Sequence, residues 1–256
     1  MRVSKLLFVA AALASAGCDP GTSERWLLEE LRVLGVRAEP AEAQPGVDIA
    51  LESLVVDPLG AGLRNVAIAW AVCTPDPIVG QASCAEPGRT VPLAIGTATT
   101  LSVATDALDG LTAEQARFGI DLYVVIAATV PSVPGAVEED AEAGYKRIRV
   151  STDPVPNRNP EIAWFNPAST PEDGHSTLLQ AAATVESTEQ FLGPLGPDVE
   201  DLRFSWYTTG GALERGVTLG EPLASELTWD AELGSTLYLV LRDGRGGMDW
   251  VVREVP

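Results

Sequence analysis

The sequence predicts an all-β fold built from two β-sandwich domains in tandem. Short runs of alternating apolar and polar residues recur along the 256-residue chain, bounded by proline, glycine or aspartate, as is typical of strands. A stretch with three prolines, DPVPNRNP at residues 153–160, divides the chain, and such a stretch favours an extended, stiff spacer. We therefore expect two separate cores joined by a short linker.

The chain begins with a pattern typical of a secretory signal. Two basic residues, Arg2 and Lys5, precede an apolar run at residues 6–14, and small residues follow it up to Gly17. The apolar run is shorter than the roughly 20 residues that a helix needs to span a bilayer. Residues 1–17 are therefore expected to be a signal peptide that is removed.

Residues 15–18, Ser-Ala-Gly-Cys, resemble the lipobox of bacterial lipoproteins. In that family a signal peptidase cuts before a cysteine that already carries a diacylglyceryl group. The resemblance implies that Cys18 is the mature N-terminus and the lipid anchor, and that residues 18–26 form a lipidated tether. One acyl chain binds membranes only marginally, whereas more than one holds a domain stably. The alternative is an ordinary secretory signal with an incidental cysteine.

The polar part of this tether is short. Residues 19–25 span at most about 25 Å when fully extended, so we expect the first domain to lie close to the membrane. Ser23 can cap a brief helical turn, but the apolar residues Trp26, Leu27 and Leu31 are too few to distinguish helix from strand.

The first domain is expected at residues 27–152. In the run NVAIAWAVC at residues 65–73, Trp70 lies on the apolar face and Cys73 on the opposite face, because successive side chains of a strand alternate. Thr112 and Gln115 have the spacing of a capping box that opens one helical turn. The other strands predicted in this domain are a run that starts at residue 47 and ends before Asp57-Pro58, and residues 90–95, 99–104, 120–127 and 145–150.

Two cysteines remain once Cys18 is assigned to the lipid. In an oxidising compartment such a pair persists as a disulfide, so we predict a bond between Cys73 and Cys84. It would close a loop of about twelve residues and add roughly 3 kcal/mol on the chain-entropy model. Because Cys73 is expected opposite Trp70, the bond should brace a surface loop. Two thiolates without a nearby histidine do not make a zinc site.

The second domain is expected at residues 161–256. Its strongest strands align with those of the first half, Trp206 with Trp70 and Tyr238 with Tyr123, as expected if each half packs a tryptophan between two sheets. The predicted strands of this domain are residues 161–165, 176–185, 202–208, 227–229, 237–242 and 250–255, the last two joined as a hairpin by DGRGG at residues 243–247.

This arrangement resembles bacterial immunoglobulin-like or fibronectin-type domains, which are found in many uncharacterised envelope lipoproteins. The resemblance covers residues 27–256 and implies two tandem immunoglobulin-like β-sandwich domains after an N-terminal lipoprotein signal peptide. Such domains usually act as spacers, adhesion units or parts of envelope assemblies. A fold of this kind implies a function only weakly.

His175, the only histidine of the chain, is the first candidate for catalysis. It stands near Asp173 and Ser176, which suggests a hydrolytic triad. In an extended segment Asp173 and His175 point one way and Ser176 the other, so the serine hydroxyl does not reach the imidazole. No Gly-x-Ser-x-Gly elbow occurs either. We expect no catalytic residue and no enzymatic activity.

Two segments have features of calcium-binding motifs. Residues 153–161 resemble the Asp/Asn-rich linkers of cadherin-type domains, and residues 243–249, DGRGGMD, resemble a glycine-rich calcium turn. Arg158 and Arg245 depart from these patterns, and a fixed cation beside a divalent ion lowers its affinity. We therefore expect no metal site and no cofactor, and keep calcium binding as an alternative.

Four tryptophans could belong either to the cores or to a ligand-binding surface. We assign most of them to core packing, although an exposed coplanar pair would indicate a glycan-binding module. The four tryptophans are Trp26, Trp164, Trp229 and Trp250.

The chain is strongly acidic, with 17 Lys and Arg residues against 36 Asp and Glu. The signal holds Arg2 and Lys5 and no acid, so its removal takes the formal charge from −19 to −21. Such a surface repels nucleic acid, which excludes it as a partner. The acids at residues 138–142 indicate a solvated loop.

Together these patterns predict a lipid-anchored protein of the cell envelope that faces the periplasm or the cell surface. Its expected role is structural or in protein interaction, without enzymatic activity. The expected partners are the membrane, through the lipid on Cys18, and another envelope protein. The alternative is a glycan- or calcium-binding β-sandwich module at the cell surface.

Overall fold

The computed structural model describes residues 25–59, 64–73, 90–130, 140–167, 169–193, 196–220 and 223–256. Within these ranges the chain is nearly all β, with strands β1–β18 and the helix α1 (Ala113–Phe118). The strands are β1 (Arg32–Glu39), β2 (Glu42–Ala43), β3 (Asp48–Val56), β4 (Ala67–Cys73), β5 (Thr90–Ile95), β6 (Ala98–Ser102), β7 (Ile120–Val130), β8 (Asp140–Val150), β9 (Ile162–Pro167), β10 (Ser176–Ala183), β11 (Gln190–Gly193), β12 (Gly196–Val199), β13 (Arg203–Thr208), β14 (Ala212–Leu213), β15 (Val217–Leu219), β16 (Ala224–Asp230), β17 (Thr236–Arg242) and β18 (Met248–Glu254).

The first sandwich consists of a three-stranded sheet, β1-β3-β6, and a five-stranded sheet, β2-β8-β7-β4-β5. Alternate residues of both sheets fill its core, among them Leu51 from β3, Trp70 from β4 and Ile126 from β7. The indole N–H of Trp70 donates to the carbonyl of Gly96 at 2.6 Å. The buried ring therefore has a hydrogen-bond partner, as a buried tryptophan usually does.

The second sandwich consists of two four-stranded sheets, β15-β13-β17-β18 and β14-β16-β10-β9, with β11-β12 as a separate hairpin. Its core holds Trp206, Trp229 and Phe204, and the indole N–H of Trp206 donates to Thr218 Oγ1 at 2.7 Å. The prediction of two tandem immunoglobulin-like β-sandwiches is confirmed. None of the described helices is long and apolar enough to span a bilayer.

The proposed alignment of the two halves places both members of each aromatic pair on the same face of equivalent strands. Trp70 and Trp206 are both fully buried in their cores. Tyr123 and Tyr238 both lie on the outer faces of β7 and β17, because the next residue of each strand fills the core.

The local prediction for the turn before β7 is confirmed. Thr112 Oγ1 accepts the N–H of Gln115 at 3.2 Å, and Gln115 Oε1 accepts the N–H of Thr112 at 2.9 Å. This reciprocal pair is a capping box, and it opens α1.

Cys73 lies on the outer face of β4, opposite Trp70, as predicted from strand alternation. It pairs with Tyr123, which also faces outward, and its side chain is buried without belonging to the core cluster. Cys84 lies outside the described residues, so the disulfide stays a prediction.

The first described residues contact the second sandwich, although Trp26 was expected at the end of the tether and Leu27 at the start of the first domain. Trp26 is 9% exposed and packs in the second core. Leu27 forms a parallel bridge with Thr208, which donates its N–H to the carbonyl of Trp26 at 3.0 Å and accepts that of Leu28 at 2.8 Å. The chain therefore passes the second sandwich before it enters the first.

A third apolar cluster joins the two sandwiches. It lies between the outer faces of β1 and β3 and the outer face of the sheet that contains β13, β17 and β18. At Gly35 the backbone of β1 comes so close to β18 that a Cβ atom there would lie 3.1 Å from Met248 Sδ. The buried members of this cluster are Leu28, Leu34, Leu54, Val56 and Val240, with Tyr207, Tyr238 and Trp250 packed against them.

Candidate functional site: the charged junction

Buried charge is concentrated where the two sandwiches meet. Charged side chains are rarely buried unless they are paired. This group is therefore the first candidate for a functional or structural site in the described part of the chain. We call these residues the junction cluster: Glu42, Lys146, Asn157, Glu189, Glu200, Asp243 and Arg245.

Arg245 lies among three buried carboxylates of the junction cluster. Its guanidinium is 2.9 Å from Glu200 Oε1, 3.7 Å from Glu189 Oε2 and 3.5 Å from Glu42 Oε2. It also lies 4.5 Å from the centre of the Phe191 ring, where a cation is attracted to the aromatic face. Because Glu42 comes from the first sandwich, one arginine bridges the two.

The turn between β17 and β18 is tied to its surroundings through Asp243. Asp243 Oδ1 accepts the N–H groups of residues 245–247 at 2.8–2.9 Å. Asp243 Oδ2 accepts Asn157 Nδ2 at 2.9 Å. Lys146 Nζ of the first sandwich donates to the carbonyl of Gly246. The predicted hairpin is confirmed, and it serves as a contact surface for the linker and for β8.

The segment between the sandwiches packs into the junction rather than standing free as a spacer. Asn157 is buried, and its N–H donates to Glu42 Oε2 at 3.0 Å. Asn159 bonds both sandwiches, since its amide nitrogen donates to the carbonyl of Ala38 at 2.7 Å and its oxygen accepts the N–H of Met248 at 3.0 Å.

Two groups in the junction cluster have strongly shifted pKa values. Burial raises the pKa of Glu200 to about 7, and the nearby Asp243 adds to this rise. Burial lowers the pKa of Lys146 to about 8, although Asp243 opposes the change. In both cases desolvation of the charged form is the larger effect.

We expect the stability of the protein to fall as the pH rises from 4.5 to about 7. In this window folded Glu200 holds a proton that the unfolded chain releases, so the free energy of unfolding decreases with pH. Glu200→Gln should reduce this slope in urea unfolding at a series of pH values. The exposed Glu226→Gln should leave it unchanged, and equal slopes in all three proteins would contradict the assignment.

The two segments with features of calcium-binding motifs meet in the junction cluster, through Asn157 and Asp243. Arg245 supplies the positive charge among the acids, which removes the electrostatic reason for a divalent cation there. Arg158 likewise pairs with Glu189 at 2.5 Å. Across the described ranges, no three His, Cys, Asp or Glu side chains are grouped so as to hold a metal ion.

The residues around His175 do not converge into a triad. His175 is exposed and its Nδ1 lies 3.7 Å from Glu172. Ser176 Oγ donates to Asp230 instead, and Asp173 accepts the N–H of Leu233 at 3.4 Å. The prediction assumed an extended segment, but residues 173–175 form a turn, with Gly174 at a φ of 70°, and Ser176 begins β10.

The tryptophans are mainly core residues, as assigned. Trp26 and Trp229 fill the second core, and Trp250 is half-buried beneath Arg37, at 4.7 Å. Trp164 is the exception, at 42% exposure.

An aromatic pair lies on the outer face of the first sandwich. The rings of Tyr123 and Tyr145 have centroids 6.5 Å apart and are tilted by 49°. They therefore do not form the flat platform that would indicate glycan binding.

Cys18, the predicted lipid anchor, lies outside the described residues, so its role stays a prediction.

The junction cluster itself was not predicted. Its acids come from distant positions, Glu42, Glu189, Glu200 and Asp243, and none of these belongs to a local motif. The sequence feature that could have indicated this cluster is the pair of arginines, Arg158 and Arg245, which interrupt the two calcium-like segments. Arg245, 15% exposed, lies among buried acids, and Arg158, itself 72% exposed, pairs with the buried Glu189.

No protein-family model and no curated protein matches the sequence. Among solved structures, the chain is similar to a DUF4785 family protein from Legionella pneumophila, with 13% identity and a TM-score of 0.30 over 86% of this chain and 55% of that one. It is also similar to the FN1-FN3 domains of chicken CNTN1, with 9% identity and a TM-score of 0.27 over 88% and 65%.

A β-glucuronidase from Parabacteroides merdae matches with 10% identity and a TM-score of 0.25 over 88% of this chain and 24% of the enzyme. The chain thus spans about half of the Legionella protein and a quarter of the glucuronidase. At these low TM-scores the likeness adds nothing to the strand pairing described above.

Proposed function

We propose that this protein is a lipid-anchored, non-enzymatic structural or interaction protein of the cell envelope, whose two sandwiches act as one rigid unit. The observation that carries the proposal is the double junction, an apolar cluster beside a buried charged one. Domains of one chain move relative to each other by default unless their interface is large and apolar. Here Leu28, Leu34 and Val240 supply buried apolar contact.

The charged part of the junction supports a fixed orientation. A buried ion pair contributes little net stability, but a misplaced partner leaves an uncompensated buried charge. Arg245 is paired with Glu189 and Glu200 of its own sandwich, and it reaches Glu42 of the first sandwich, at 3.5 Å, in one arrangement of the two. Arg37 of β1 adds a contact to Asp249 of β18 at 2.9 Å, and Arg242 donates to the carbonyl of Leu34 at 2.7 Å.

The junction also supports a role without catalysis. Shifted pKa values often mark active sites, but structural ion-pair networks shift them too. Glu200 accepts hydrogen bonds from Arg245 and from the N–H of Glu189, and Lys146 donates to Gly246. The bonds of Glu200 lie within the second sandwich and the bond of Lys146 crosses between the two, so both groups are held in structural contacts. A rigid unit of this kind suits a spacer or a docking partner for another envelope protein.

The anchoring half of the proposal is tested by lipid labelling in a bacterial host. Wild-type protein should incorporate labelled palmitate and stay in the membrane fraction, whereas Cys18→Ala should do neither. Ser15→Leu, which brings the segment closer to the lipobox pattern, is the matched control and should label like wild type. Unlabelled wild type, or Cys18→Ala retained in the membrane fraction, would refute the anchor.

A further inference from the structure

A groove of about 630 Å³ opens on the second sandwich. One wall is β15, whose Val217 and Leu219 are 51% and 61% exposed, and Trp164 of β9 also lines the groove. We call Trp164, Val217 and Leu219 the apolar rim.

Strand alternation explains why the apolar rim is exposed. The side chain of Thr218 points inward and accepts the indole N–H of Trp206, so its two neighbours in β15 point outward. On the other sheet, Trp164 of β9 pairs with Ala182 of β10, and Ala182 in turn pairs with Ala224 of β16. Gln180 and Glu226 of the same strands also line the groove, and Gln180 Nε2 donates to Glu226 Oε2 at 3.3 Å, so a polar surface lies next to the apolar rim.

The chain enters the second sandwich beside this groove. Trp26 packs against Gly216, where a Cβ atom would lie 3.1 Å from that of Trp26, and Gly216 directly precedes Val217 in the chain. Seven residues separate Cys18 from Trp26, and they span at most about 25 Å. An anchor at Cys18 therefore holds this part of the second sandwich within about 25 Å of the lipid.

We infer that the apolar rim rests on the membrane surface, at the boundary between headgroups and acyl chains. This inference rests on the proposed lipid anchor. Tryptophan suits that boundary because its ring is apolar and its N–H is polar. Arg215, which lines the same groove, can keep its charged end in the headgroup layer while its stem contacts apolar surface.

A few side chains alone bind a bilayer weakly, but the lipid-anchored tether keeps them close to it and so favours the bound state. A short flexible link raises the effective concentration of the second contact to the millimolar range, so a weak contact persists. The net charge of the mature chain repels anionic lipid. The rim is therefore expected to prefer a zwitterionic surface, and the second sandwich, not the first, faces the bilayer.

Quenching of tryptophan fluorescence by brominated phosphatidylcholine tests this placement, with the lipidated protein in vesicles of that lipid. Wild type should be quenched, and Trp164→Phe should lose most of the quenching. Trp250→Phe, at the half-buried tryptophan of β18, is the matched control and should keep it. Leu219→Asp, which retains the Trp164 ring, should also reduce it.

Quenching that is unchanged in Trp164→Phe would overturn the inference and leave the groove to another occupant, such as a glycan or a second copy. Lipidation is measured separately, by mass spectrometry of the N-terminal Cys18. If Cys18 carries no lipid, the proposed anchoring fails. The rim is then tested by coupling Cys18 of the mature chain to a maleimide lipid, where loss of quenching in Trp164→Phe supports the placement and its absence overturns it.

Discussion

Replacement of Arg245 with glutamine is expected to lower the free energy of unfolding by about 3–5 kcal/mol, the usual cost of removing one partner from a buried ion pair. The side chains of Glu42, Glu189 and Glu200 are at most 8% exposed. Without the guanidinium they remain as buried like charges near one another. Glutamine keeps part of the side-chain volume, so the loss reports the charge more than the packing.

Urea unfolding at pH 8 measures this loss, because Glu200 is then mostly ionised. Arg215→Gln is the matched control. Arg215 pairs with Glu214, but both side chains are about half exposed, and such surface pairs contribute about 0–1 kcal/mol. A loss in Arg245→Gln no larger than in the control would contradict the role of the junction cluster.

Trp26→Ala is expected to destabilise the protein by about 3–5 kcal/mol, as large-to-small changes of a buried tryptophan do. If the signal is cut before Cys18 as proposed, the residue lies near the start of the mature chain, where a tether would tolerate any substitution. Its ring is instead part of the second core, and its backbone is bonded to Thr208. The variant should therefore weaken the C-terminal sandwich, far away in sequence.

Equilibrium unfolding of Trp26→Ala and Trp164→Ala shows whether Trp26 is a core residue or part of a tether. Trp164 is 42% exposed, so its truncation removes much less buried apolar surface and should cost less than half as much. Similar small losses in both variants would mean that residue 26 is part of the tether after all.

The strands with strong alternation could be predicted from the sequence. β5 has the bounds predicted for it, and β4, β13 and β17 differ by about one residue. The hairpin and the capping box were also found, because both depend on residues within one short segment. The short strands β2, β14 and β15 were missed, since two or three residues show no period.

The contacts between the sandwiches could not be predicted from local patterns. Trp26 lies in the second core next to a parallel bridge between Leu27 and Thr208, two residues far apart in the chain, and no local signal marks this pairing. The junction cluster likewise depends on tertiary contacts of Glu42, Glu200 and Arg245. Sequence reasoning came nearest where an arginine interrupted an acidic motif, because a fixed cation there requires nearby acids.

Scanning calorimetry of the protein tests most directly whether the two sandwiches form one unit. We expect a single transition in which the calorimetric and van't Hoff enthalpies agree, as for one cooperative domain. This follows from Trp26, the apolar cluster between the sheets and the buried ions, all of which couple the sandwiches. Two resolved transitions, or a van't Hoff enthalpy about half the calorimetric value, would contradict a rigid pair.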